Sequence, residues 1–262
     1  MNIIERGQGA NMKVAVIGYG FVGKQVHGLF GKHTVVIYDP PAGYDDKDAV
    51  NECDLAVVCV PTQSKSDGSC DTSIVEEVVS WITCPILIKS AVIPGTTEML
   101  VKKYKKLIAV SPEYAGESEY DNTYEYFHKS MIHTPWIVLG GTDEVVDYIY
   151  NILLPIVGPE KKWYFLTSRE AETVKYFENT FFAFKVSIVN EFYDICQTLD
   201  VDWKKVREAW LADPRLSPMH TAVFTSKRGY GGKCFPKDTK ALLAKCKELG
   251  FSPPLLNTMV GE

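Results

Sequence analysis

No apolar run in these 262 residues approaches the roughly 20 positions that a membrane-crossing helix needs, so no membrane partner is expected. Long basic runs are missing too. Lys and Arg number 28 against 33 Asp and Glu, a formal net charge of −5, and a nucleic-acid partner is not expected. The seven cysteines, at 53, 59, 70, 84, 196, 234 and 246, include no C-x-x-C pair, and the five histidines do not gather around them. That scatter predicts neither a disulfide framework nor a bound metal. Residues 1–11 lack the apolar centre of a secretion signal, which makes the cytoplasm the simplest location. What is present, 46% hydrophobic and 23% charged residues, is ordinary globular composition, enough for one large domain or two of usual size.

One cysteine stands out. Gly231-Gly232-Lys233-Cys234-Phe235-Pro236-Lys237-Asp238 sets it between flexible glycines and a proline. Proline favours the first helical position, and the following run, Thr239 to Leu249, reads as a helix closed by Gly250. Cys234 then falls at or just before a helix N-terminus, where unpaired N–H groups and two flanking lysines favour a thiolate. A buried, inert cysteine beside an ordinary helix start is the competing reading.

The first half reads as alternating strands and helices. Lys13–Ile17 is a short apolar strand, followed by Gly18-Tyr19-Gly20-Phe21-Val22-Gly23, a helical stretch to about Phe30, and a second strand, Thr34–Tyr38, ending in Asp39. A strand, a G-x-G-x-x-G turn, a helix, a strand and an acid about twenty residues on form the fingerprint of dinucleotide binding. Asp39 would bond the adenosine ribose and repel a 2′-phosphate, favouring NAD over NADP. Further strands are expected at 55–60, 85–90, 107–110, 136–139 and 162–166, with helices near 74–81, 97–104 and 144–156. The expected fold is α/β, a Rossmann-like doubly wound parallel sheet over residues 12–166, followed by a smaller all-helical domain over 167–262. Pro61-Thr62-Gln63 follows Val60 as a loop at a strand's carboxyl end, where such sheets bind ligands. Glu113 and Glu117 sit in another; spacing alone leaves them as solvated loop acids.

Thr167-Ser-Arg-Glu170 has the form of a capping box. The helix it opens runs to about Leu199 and is apolar around most of its circumference, through Val174, Phe177, Phe181, Phe182, Phe184, Val186, Ile188, Val189 and Phe192, so burial is expected. Lys175 and Asn179 fall one turn apart on it. They either line a polar cavity or, for the lysine, reach out to solvent. A second helix near 202–211 and a long irregular connection, 213–232, lead to the cysteine motif.

Taken together these segments resemble the UDP-glucose/GDP-mannose dehydrogenase family. The resemblance rests on the glycine turn, Val60-Pro61-Thr62, Gly68-x-x-Asp71, Ser90-x-Val92-x-Pro94-Gly95-Thr96, Pro112-Glu113-x-x-x-Glu117, Lys175-x-x-x-Asn179 and the cysteine motif. It implies that two NAD are reduced while a nucleotide-sugar C6 alcohol, with UDP-glucose favoured, becomes a carboxylate. It implies further that Cys234 attacks the C6 aldehyde and carries a thioester to hydrolysis. By the same resemblance Lys175 and Asn179 stabilise the oxyanion, Asp238 places a water beside Lys175, and Glu117 serves thioester hydrolysis. Lys237 matches a cofactor-contacting lysine, while Glu113, Lys175 and Gly231 fall in the substrate-binding set. A homodimer through the long helix is expected.

Three departures accompany the resemblance. Ala91 replaces the usual threonine of an S-T-V motif, the segment from Asp39 to Leu55 is short, and the family's third domain is absent from this sequence. Two other readings compete: a two-domain β-hydroxyacid dehydrogenase, which needs no Cys234, and a catalytically inactive NAD-binding subunit.

Overall fold

Leu55–Val58 is buried along its whole length, as expected of a strand covered on both faces. It is one of seven strands in a single sheet, and the computed structural model describes residues 11–115 and 131–261 around it. In chain order the elements are β1 (Lys13–Ile17), α1 (Phe21–Leu29), β2 (Thr34–Tyr38), α2 (Lys47–Asn51), β3 (Leu55–Val58), α3 (Ser73–Trp81), β4 (Ile86–Ile88), α4 (Thr96–Tyr104), β5 (Ile108–Val110), β6 (Trp136–Gly140), α5 (Asp143–Val157) and β7 (Lys162–Leu166). Helices α6 (Ser168–Thr198), α7 (Trp203–Trp210), α8 (Cys234–Glu248) and α9 (Pro254–Val260) complete the chain. The fold is Rossmann-like with a helical region after it.

The strand order is β2-β1-β3-β4-β5-β6-β7. From β1 the chain first goes outward to β2 and then returns to the other side at β3, so the order reverses beside β1. A ligand crevice opens at such a point, outside the strands' carboxyl ends.

The sheet is not parallel throughout, and here the expectation needs correction. Strands β1 to β5 are parallel, and β6 and β7 are parallel to each other, but β6 meets β5 antiparallel through Val110 and Gly140. An apolar run marks a buried strand but carries no sign of its direction.

The short stretch between β2 and β3 holds a 3-10 turn, Pro40–Ala42, and the five-residue α2, capped by Asp46 accepting from the Ala49 N–H at 2.9 Å. The capping box at the start of α6 forms as its spacing predicts: the Thr167 N–H and hydroxyl both donate to Glu170 Oε2 at 2.8 Å, and the Glu170 N–H donates back at 3.3 Å.

Two compact units divide the chain, with the boundary inside α6 after Lys175. The first carries the sheet. The second holds Ser64–Ser69 and the chain from Tyr176 onward. On α6 the expectation of burial holds only in part. Tyr176, Ala183 and Val189 are buried, whereas Phe177, Phe181, Ile188, Phe192, Ile195 and Leu199 are exposed. The exposed positions recur at intervals of three, four or seven and make one continuous apolar face.

Candidate active site

In the sheet-bearing unit the glycine turn has the shape its residues demand. Gly18 sits at φ +88°, and a Cβ there would come within 3.0 Å of the Cys59 carbonyl. A Cβ on Gly23 would overlap the Gly18 oxygen at 2.0 Å, so only glycine lets α1 approach β1 this closely. Gly20 differs: nothing lies within 4 Å of the space a side chain would occupy. An open cradle at the first turn of α1, with N–H groups at its mouth, fits the diphosphate of a dinucleotide. Tyr19, Phe21 and Val22 complete the turn, and the Tyr19 hydroxyl meets His27 Nδ1 at 2.7 Å.

Asp39 is tied to the same turn. Its Oδ2 accepts from the Tyr19 N–H at 2.7 Å, which fixes the carboxylate at the end of β2 where a ribose is read. Beside the turn, Val60 and Thr62 are buried while Pro61 is exposed. The loops after β3 and β4 are laced together: Thr62 Oγ1 donates to the Ala91 carbonyl at 2.8 Å, and Ser90 Oγ to that of Val60 at 2.7 Å. At position 91 the backbone oxygen is thus in use whatever the side chain.

Glu113 is not a solvated loop acid. Its side chain is 8% exposed and lies 3.4 Å from the Lys89 ammonium, itself 2% exposed. Glu113 Oε1 also accepts from the N–H groups of Tyr114 and Ala115, at 2.9 and 2.8 Å. Burial pushes this carboxyl up, but Lys89 and the two N–H groups outweigh it and hold the acid below its usual range. Lys175, half-buried, places its ammonium 4.8 Å from the centre of the Tyr114 ring. Glu117 lies outside the described residues.

Sequence reading missed Glu172 and Lys89. Glu172, 1% exposed, closes the N-terminus of α4 by accepting from the Gly95 N–H at 2.6 Å and the Thr97 N–H at 2.8 Å. Burial nonetheless raises its pKa to about 6. An acid on the apolar side of α6, and a lysine ending the apolar strand Ile86–Ile88, were the available signals.

In the helical unit, Cys234 is the first residue of α8, with Lys233 as its cap, and it is exposed. Pro236 is therefore the third helical residue rather than the first. The proline is tolerated there because the first four N–H groups of a helix have no intrahelical acceptor. One turn on, Asp238 is 1% exposed. It accepts from Asn179 Nδ2 at 2.6 Å on one oxygen and meets the Lys237 ammonium at 2.5 Å on the other. Asn179 is buried as well. Gly231 is exposed, just ahead of the cysteine.

The connection from 213 to 232 is pinned to its neighbours by three cations. Arg207 donates to the Thr221 carbonyl at 2.9 Å, Lys185 to that of Ser217 at 2.7 Å, and Arg228 to Asn190 Oδ1 at 2.7 Å and Asp194 at 2.8 Å. His220, another residue the sequence did not single out, lies 4.5 Å from Phe182 and 5.4 Å from Phe235, ring centre to ring centre. Burial, reinforced by Lys185, pushes its imidazole down to about 4, so it packs as a neutral ring behind the residue that follows Cys234. Among the described residues no cluster of side chains could hold a metal ion, and no helix is long and apolar enough to cross a membrane.

A Rossmann-like sheet with a glycine cradle, followed by a helical unit that opens a helix on an exposed cysteine, defines a class of dinucleotide-dependent dehydrogenases. The chain belongs to the UDP-glucose/GDP-mannose dehydrogenase family. Residues 42–153 match its NAD-binding domain and residues 169–261 its central domain. The glycine turn lies ahead of the first match and stands on its own geometry. A putative UDP-glucose 6-dehydrogenase of Bacillus subtilis, YtcA, is 28% identical over 95% of this chain and 66% of its own. The UDP-glucose 6-dehydrogenase AglM of Haloferax volcanii is 29% identical over 82% of this chain and 53% of its own. A UDP-glucose dehydrogenase structure from Pyrobaculum islandicum superposes with a TM-score of 0.78 at 25% identity, covering 98% of this chain and 68% of that one. The chain thus spans about half to two thirds of the curated relatives it matches. Its first unit is an NAD-binding domain of this family.

Proposed function

We propose that this chain oxidises a nucleotide sugar at C6 from alcohol to carboxylate, with UDP-glucose the favoured substrate because both curated relatives above are named for it. The observation that carries the reading is the placement of Cys234: exposed, first in α8, one turn ahead of an Asp238 held by Asn179 and Lys237. NAD, when bound, supplies the oxidant for both two-electron steps. Gly18, Gly20, Gly23 and Asp39 would hold it, with Val60, Pro61, Thr62 and Lys237 in the cofactor set.

In this reading Cys234 Sγ adds to the aldehyde carbon, and the oxidised carbon is held as a thioester that water then opens. The helix start favours the thiolate needed for that addition. Lys175 and Asn179 are assigned to the oxyanion, a cation and an amide suited to developing negative charge. Asp238 is assigned the water, Glu117 the hydrolysis, and Glu113, Lys175 and Gly231 the substrate. Because the Glu113 carboxylate is engaged with Lys89 and its own loop, its share in substrate binding falls to its backbone. A β-hydroxyacid dehydrogenase would leave Cys234 without a role, and an inactive subunit would leave the Asn179–Asp238–Lys237 arrangement without one.

A homodimer through α6 is part of the proposal, since its exposed phenylalanines form an apolar face of the kind subunit contacts cover. The NAD-binding domain is proposed over 12–166 and the helical domain over 167–262, a division at the start of α6, ahead of the break between the compact units after Lys175. The cytoplasm is the proposed location.

The test is a count of products. Purified protein given UDP-glucose and excess NAD should form two NADH for each UDP-glucuronate; one NADH and an accumulating aldehyde would overturn the thioester route.

A further inference from the structure

At the carboxyl end of β2 the chain turns back on itself between Asp39 and Tyr44. Pro40 and Pro41 fix two successive φ angles, and Gly43, at φ +86°, takes the left-handed conformation that reverses the path. The Ala42 N–H donates to the Asp39 carbonyl at 2.8 Å and the Gly43 N–H to that of Pro40 at 3.0 Å. The turn closes where Asp39 and Tyr44 pair antiparallel. There the Asp39 N–H donates to the Tyr44 carbonyl at 2.7 Å, and the Tyr44 N–H to the Asp39 carbonyl at 3.2 Å. Tyr44 is thereby fixed beside the carboxylate that is itself tied to the glycine turn.

An aromatic ring gains most from burial, yet Tyr44 is 47% exposed and belongs to neither apolar core of the sheet. Its ring meets that of Tyr19, 6.5 Å away between centres and inclined at 64°. Tyr19 is anchored in turn by its hydroxyl on His27 Nδ1. Two aromatic rings therefore stand beside Asp39, one from the glycine turn and one from the turn after β2. A dinucleotide with its diphosphate at the glycine turn and its ribose on Asp39 sends its adenine outward past that carboxylate. Residues 40–46 are Pro, Pro, Ala, Gly, Tyr, Asp and Asp, so Tyr44 is the one side chain of this stretch large enough to cover a base.

We propose that Tyr44 is the residue on which the adenine of NAD stacks. Its π face suits any planar base, and the two prolines hold it in place, so little freedom is lost when the ligand arrives. The short connection after β2 thus covers the base with one fixed ring. Asp39 and Tyr44 divide the adenosine between them: the carboxylate reads the ribose and the ring carries the base. Stacking takes no account of a 2′-phosphate, so Tyr44 adds affinity for NAD and NADP alike and leaves the choice between them to Asp39. The assignment rests on the NAD-binding domain and not on the proposed oxidation.

ADP-ribose, which carries the adenosine and diphosphate of NAD without the nicotinamide, is the probe, titrated by calorimetry into the full chain. Tyr44→Ala should weaken its binding by about fivefold or more, and Tyr44→Phe, which keeps the ring, should stay within about twofold of wild type. Titrations of NAD and NADP separate stacking from a disturbed turn. Tyr44→Ala should lower both affinities and leave their ratio within about twofold of the wild-type ratio. Wild-type affinity in Tyr44→Ala, or no binding of millimolar ADP-ribose by the wild type, would overturn the proposal. So would an equal loss in Tyr44→Phe, which moves the effect to the hydroxyl, or a shifted NAD-to-NADP ratio in Tyr44→Ala, which moves it to Asp39. None of these measurements needs turnover, so failure here leaves the proposed oxidation standing, and failure of the oxidation leaves Tyr44 in its place.

Discussion

Asn179 Nδ2 donates to Asp238 Oδ2 over 2.6 Å, with both side chains buried, and this bond joins the long helix α6 to the helix that begins at Cys234. The two residues lie 59 apart in the chain. Asp238 also meets Lys237, so removing its carboxylate takes a partner from two polar groups at once.

Asp238→Ala should therefore lower stability by about 1–3 kcal/mol as well as activity, since the buried Asn179 amide would lose its acceptor. Asp238→Asn keeps the volume and one acceptor oxygen, and should recover much of the stability. Urea denaturation of both variants checks this, and an Asp238→Ala variant as stable as wild type would contradict it.

A second outcome follows from Glu172, whose pKa is raised to about 6 by burial in spite of two N–H bonds. The folded state binds this proton more tightly than the unfolded chain, so the contribution of Glu172 is fullest below its unfolded pKa and is lost as pH rises through about 6. From the ordinary 4.5 of a glutamate, the rise to about 6 corresponds to about 2 kcal/mol. In Glu172→Gln, which cannot titrate and can accept from only one of the two N–H groups through its single amide oxygen, the deficit against wild type should be larger at pH 4.5 than at pH 7.5. A deficit that is constant with pH would refute the assignment.

Much of this was readable in the chain. The glycine turn, Asp39, all seven strand positions to within two residues at each end, and the capping box at Thr167 rest on local patterns that tertiary contacts reinforce. Helix α2 went unread because five residues are too few to show a period, although Asp46 is a good cap. The reversal at β6 and the exposed face of α6 were hidden for another reason. Strand direction and the covering of an apolar face are settled by what packs alongside, which no window of sequence contains. Glu172 and Lys89 look like exposed charges until Gly95 and Glu113, each distant in sequence, are set beside them.

Asp39 should make the protein prefer NAD. Its carboxylate is fixed by the Tyr19 N–H and would face the 2′-phosphate of NADP as a like charge. Both cofactors should be titrated at equal ionic strength by the quenching of protein fluorescence; equal or tighter NADP binding would sink this expectation.

The exposed face of α6 should close a homodimer. Phe177 is 61% and Phe181 65% exposed, and Phe177→Glu with Phe181→Glu would set two charges on the proposed contact. Wild type should sediment as a dimer and the double variant as a folded monomer. A monomeric wild type at micromolar concentration would remove α6 from consideration as an interface.

Cys234→Ser gives the sharpest test of the chemistry. The side chain is exposed and loses little in volume, so the fold should persist, and NAD binding at the glycine turn should be unchanged. Net oxidation to the acid should nevertheless fall by several orders of magnitude, because a serine hydroxyl at its ordinary pKa offers far less anion than a thiol at a helix start flanked by lysines. In the wild type, alkylation of Cys234 should abolish turnover, and UDP-glucose should slow the alkylation. Mass spectrometry of the protein quenched during turnover should find a sugar-nucleotide adduct on the peptide carrying Cys234. If the serine variant forms the acid at the wild-type rate, the covalent route is wrong for this chain, and the oxidation would have to run on Lys175 and Asn179 without a thioester.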